Sequence, residues 1–172
     1  MGASAAVAQV AQWGRPTETV IKLLLLDYTL WWWHWLNHHT ILWEFHRAHH
    51  LDPDLDVSTG IRFHPSEMAL ASFFRAAQVR VLRVDEETLL LWQRMLLVSI
   101  LFHHSNLRLP EKLDRALANV IATPRMHGIH HSDRWEETNS NYASLFSWWD
   151  WIHGTMRLER PQAEITIGAP DA

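Results

Sequence analysis

Thirteen of the 172 residues are histidine, and their spacing is not random. The pattern His-x-x-His-His occurs twice, as His46, His49, His50 and as His127, His130, His131; His34 and His38 form a third group, His-x-x-x-His. On a helix, residues three and four apart share a face, so each group can aim two or three imidazoles at one point. Imidazole is a ligand for zinc, copper and iron, and a chain without cysteine has no thiolate to compete. A structural zinc takes four ligands and a transition ion about six. Eight nitrogens exceed the needs of one ion, so convergence of the three groups implies two metals. His34 and His46 are twelve residues apart, about 120° around an ideal helix, so their groups need a bend or separate helices to converge.

Other side chains can join. His103 and His104 end an apolar segment, and His64 precedes Pro65, where it can serve as ligand, as partner of a ligand, or as helix-entry residue. His39 and His153 belong to no group and read as surface or interface residues. Metal-bound imidazoles usually donate their other N–H to a carboxylate or carbonyl. Asp27, two turns before His34, is suited to that; a salt bridge with Lys22 or an arginine explains it equally well. Asn106, Asn141, Asp150, Glu67 and Asp133 are weaker candidates of the same kind.

The elements that must position these groups are read as helices, with few strand signals. They are a weak helix over 3–13, a long one over 17–36 that continues with a bend to His50, and helices over 65–82, 85–106, 110–120, 124–131 and 142–152. A polar loop spans 133–141, and the tail after Arg157 is expected to fray. The length fits one domain over 1–172 with its core over about 17–157. The fold class is all-α: a helical bundle whose long apolar helices are capped by a histidine-rich di-metal site.

Composition excludes other classes. The absence of cysteine rules out disulfides and iron–sulfur clusters. The formal charge of −4, from 15 basic and 19 acidic residues, carries no nucleic-acid footprint. The mean hydropathy of −0.16 is a soluble-protein value, and the two most apolar segments, 20–36 and 89–102, are interrupted by Lys22, Asp27, Gln93 and Arg94. The crowding of Trp31, Trp32, Trp33, Trp35 and Trp43 at one end of the first segment fits either an interfacial aromatic belt or an aromatic core. No signal peptide is read at the N-terminus, and Ala6 departs from the myristoylation pattern.

The order HWLNH, LWEFHRAHH, RFHPSE, FHHSN, TPRMHGIHHS and NSNYASLFSWWDWIHGT resembles the fatty acid hydroxylase / sterol desaturase superfamily over residues 23–157. The resemblance implies an integral-membrane, non-haem di-iron oxygenase with its metal site facing the cytosol, a lipid substrate (hydroxylated or desaturated), O2, and an external electron donor of cytochrome or ferredoxin type. Zinc can replace iron in an isolated preparation, and a solubilised or truncated variant stays open. The implied ligands are His34, His38, His46, His49, His50, His104, His127, His130 and His131, with His64 and His103 as further candidates. Three places depart from the usual pattern: Trp35 in place of Arg, Ala143 in place of Gly, and Trp151-Ile152-His153 in place of Arg-x-Phe. These spare the ligands and alter the packing around them. Two other readings remain: a zinc hydrolase, for which Glu44 between the bulky Trp43 and Phe45 is a poor base, and a metal-binding helical scaffold without turnover.

Overall fold

The computed structural model describes residues 14–170. Among these residues the chain is helical, with two isolated β-bridges and no strands. The helices are α1 (Arg15–His39), α2 (Trp43–His50), α3 (Pro65–Val81), α4 (Glu86–His103), α5 (Glu111–Leu117), α6 (Pro124–His130), α7 (Trp135–Thr138) and α8 (Trp148–His153). The expected helix over 3–13 lies outside the described residues.

Local chemistry sets the boundaries. Pro16 and Glu18 occupy the first turn of α1, as a helix start requires. The expected bend before His46 is a full break: Thr40 is extended and its hydroxyl donates to the Leu36 carbonyl. His64 caps α3, its Nδ1 accepting from the Ser66 N–H at 3.1 Å, and Asp85 caps α4 through the Thr88 N–H at 2.9 Å. Gly154 ends α8 with φ +69°, a conformation that glycine adopts without steric cost.

Helix α1 packs on α4 and α2, α4 packs on α6, and α2 packs on α3. One core cluster joins Leu26 and Leu30 of α1 to Trp92 and Leu96 of α4 and to Leu145. A second joins Trp31, Ala122, Met126, Tyr142 and Ala143. The tryptophan run is therefore split: Trp31 is buried and donates to Asp150, Trp43 is buried against the His38 and His50 rings, and Trp32 is exposed.

Three expectations are corrected. First, α1 and α4 are long, but no helix among the described residues is long and apolar enough to cross a membrane. The charged side chains within and beside their apolar stretches are responsible. Lys22, for one, pairs with Glu18 at 2.7 Å and Asp85 at 3.1 Å. Second, the helix expected over 142–152 begins only at Trp148. A helix from 142 would have paired the Phe146 N–H with the Tyr142 carbonyl; instead a buried carboxylate takes that N–H and His34 takes the carbonyl, while a second carboxylate holds the N–H groups at the start of the segment. Asp150 accepts from Tyr142 and Ala143, and Asp27 accepts from Phe146. Third, the tail after Arg157 folds back on α6: Arg125 donates to the Leu158 carbonyl, and the Gly168 N–H donates to the His131 carbonyl.

Candidate metal centre

Four helices deliver their histidines to one buried region. His34, His38, His46, His50 and His130 form a group whose ligand atoms all lie within 4.8 Å of one another, and His49, His104, His127 and His131 form a second such group. The two adjoin, with the His50 and His131 rings stacked at 4.2 Å. Each His-x-x-His-His motif is divided between them. The i, i+4 pair His46/His50 faces the first group while His49 faces the second; the i, i+4 pair His127/His131 faces the second while His130 faces the first. The helical spacing explains the split, because the i+3 residue is rotated away from the i, i+4 line.

The rings are held from behind. Nδ1 of His34 donates to the Tyr142 carbonyl, that of His130 to the Ser140 carbonyl, and that of His46 to the Glu67 carboxylate, each at 2.7 Å. His49 uses the Arg62 carbonyl at 3.1 Å and His104 the Ile100 carbonyl at 2.9 Å. Gly60 lets the turn over 59–61 pass close to His104: a Cβ there would lie 2.8 Å from the Ile100 side chain and 3.2 Å from His104 Nδ1.

This orientation makes the chemistry specific. A neutral imidazole that donates through Nδ1 has a lone pair on Nε2. Yet the Nε2 atoms of His34 and His130 face each other at 3.0 Å, and those of His49 and His104 at 3.3 Å. Two lone pairs at these distances repel unless a cation lies between them. Both ring nitrogens of His38 and His50, and Nε2 of His46, are buried without a hydrogen-bond partner among the described residues. Burial pushes His34 down to about 3 and His104 to about 4, and holds His38, His49, His50, His127, His130 and His131 well below the usual imidazole range. These are neutral donor sets, and they fit two borderline cations.

The other candidates fall elsewhere. His103 belongs to neither group, although its ring lies 4.1 Å from that of His127. His64 is the cap of α3. Asp27 touches no histidine; it accepts from Trp149 Nε1 at 2.7 Å and from Phe146, and Lys22 is not its partner. Asp150 accepts from Trp31, Tyr142, Ala143 and Thr155, and so fixes the segment whose Tyr142 carbonyl holds His34. Asn141 sits at φ +53° and bonds Met126 and Arg157. Asn106 is exposed. Glu67, only a weak sequence candidate, is the carboxylate that reaches a histidine. The Tyr142, Ser140, Arg62 and Ile100 carbonyls were missed, because backbone groups carry no side-chain signature. His39 meets the Tyr142 hydroxyl at 2.9 Å.

A cavity of about 210 Å3 reaches both groups, at His34 and His46 and at His49 and His104. Leu30, Trp33, Phe63, Leu96 and Ile100 give it apolar walls.

The fatty acid hydroxylase family model matches residues 19–155. An ornithine lipid hydroxylase of Rhizobium tropici is 30% identical over 162 residues, covering 91% of this chain and 47% of the relative. Cholesterol 25-hydroxylase of Rattus norvegicus is 27% identical over 157 residues (89% and 51%). Alkylglycerol monooxygenase of Xenopus tropicalis is 25% identical over 164 residues (92% and 34%). The chain thus spans about half or less of the length of these relatives. No solved structure matches significantly. With the model covering most of its length, from before the first histidine group to Thr155, the chain belongs to the fatty acid hydroxylase family.

Proposed function

We propose that this protein is an O2-dependent lipid hydroxylase or desaturase with two iron ions, ligated by the nine histidines of the two groups. The observation that carries the reading is the two pairs of facing Nε2 atoms, His34 to His130 and His49 to His104, in rings whose Nδ1 atoms are already committed. Bound iron would supply the oxidant for an unactivated C–H bond, drawing on O2 and on electrons from an external cytochrome- or ferredoxin-type donor. The protein's own groups do the rest. The carbonyls and Glu67 fix the imidazoles, burial keeps them neutral, and the apolar cavity excludes water while presenting a lipid chain to both groups.

Exposed apolar side chains support association with a membrane surface: Val20 on α1, Phe73 and Val81 on α3, and Leu97 and Val98 on α4. The zinc-hydrolase reading loses its base, because Glu44 is exposed on α2. Labelled O2 tests the proposal. Iron-loaded protein with a reductant and a lipid extract should give a hydroxylated lipid carrying the label or, for desaturation, a lipid lighter by two hydrogens with the label in water. Label entering only from water would mean metal-assisted hydrolysis. No product of either kind from metal-loaded protein would mean an inert scaffold.

A further inference from the structure

Arg75 lies on α3, half-buried, with its guanidinium carbon 4.4 Å from the centroid of the buried Trp92 ring. No carboxylate or carbonyl among the described residues pairs with it. It lines the cavity that reaches the histidines, and it also lines the groove running outward along α3 past Val79 and Arg80. The one carboxylate on these two surfaces, Glu67, is engaged with His46. Without a counter-ion, burial lowers Arg75 to about 10, so it remains cationic at neutral pH. A partly desolvated guanidinium with free donors is costly unless an anion completes it, and its planar fork suits carboxylate and phosphate oxygens.

We propose that Arg75 is the headgroup anchor of the cavity: it binds the oxyanion of an anionic, single-chain lipid whose apolar tail runs inward to the two histidine groups. This rests on the reading of the cavity as a lipid site and narrows it to anionic lipids. Glu67, which touches His46, and Arg75 are eight residues apart on α3, about 12 Å at 1.5 Å per residue. The carbon presented to the histidines is therefore separated from the headgroup by about that length. Trp33 in the cavity wall and Trp92 beneath Arg75 make occupancy visible, since bromine quenches indole fluorescence at short range.

The test is binding of dibromostearate and of the neutral dibromostearyl alcohol to the iron-loaded protein, below micellar concentration and with the acid ionised. Wild-type protein should bind the acid about 10- to 100-fold more tightly than the alcohol, the scale of a charge-assisted hydrogen bond. Arg75→Gln should lose that preference, Arg75→Lys should keep most of it, and Arg80→Gln should keep it all. If the glutamine variant fails to fold, Arg75→Met keeps an unbranched stem over Trp92 and carries the same expectation. Equal binding of acid and alcohol by the wild type would overturn the anchor and leave the lipid cavity standing. Quenching by neither would overturn both. Loss of the preference in Arg80→Gln rather than Arg75→Gln would assign the charge effect to the outer groove. Displacement of the acid by inorganic phosphate at similar concentration would mean a free-anion site in which the chain plays no part.

Discussion

Glu67 Oε1 lies 2.7 Å from His46 Nδ1, and both side chains are buried. A carboxylate behind a ligating imidazole fixes the ring and raises its basicity. Glu67→Gln keeps the shape and removes the charge. Iron affinity, read by competition with a chelator, should fall about 10- to 100-fold. Unchanged affinity would make the pair a packing contact only.

Two groups of imidazoles should bind two ions per chain. Elemental analysis of folded, iron-supplied protein should approach two equivalents. One or fewer would defeat the di-metal reading. His130→Ala should lose metal and activity together. His39→Ala should retain both, because that ring is exposed and among the described residues meets only the side chains of Tyr142 and Trp35.

His64 distinguishes capping from ligation. Its Nδ1 accepts the Ser66 N–H at the start of α3, so His64→Ala should lower unfolding stability by about 1 kcal/mol, the usual value of a lost cap. Metal content should not change. Loss of metal at unchanged stability would reverse the assignment.

Asp27 predicts a pH dependence. Burial, opposed by the bonds from Trp149 and Phe146, pushes it up to about 6 from an ordinary value of 3.8. The folded chain therefore holds this proton over a range in which the unfolded chain has released it. The stabilisation is complete below about pH 4 and is lost as pH rises through about 6. Asp27→Asn does not titrate, so wild type minus variant stability should decline across that interval. A flat difference between pH 4 and 7 in denaturant titrations would show that Asp27 is not buried as described.

The helices could be read from capping and periodicity wherever the partners were local: Pro65 and Glu67 opened α3, and Asp85 opened α4. Eight of the nine grouped histidines were legible for the same reason, since i, i+3 and i+4 spacing is a local property; His104 stands outside any such spacing. What failed was long-range. The stretch 142–147 has helical composition, yet Asp27, 119 residues before Phe146, takes the N–H its helix would need. The carbonyls that hold the rings depend on the tertiary course of the backbone, which no residue type announces. Nor could spacing alone show that each motif would be shared between two groups.

That sharing bears on how the metals are acquired. His34 and His130 are 96 residues apart, so the first group closes only when a long loop has closed. In the unfolded chain, either His-x-x-His-His motif can chelate an ion locally and at once. Such an ion would draw His49 together with His46 and His50, or His130 together with His127 and His131, groupings that the native centre separates. Early metal would then act as a kinetic trap rather than a template, and refolding should be faster and more complete when iron is added after the helices have assembled.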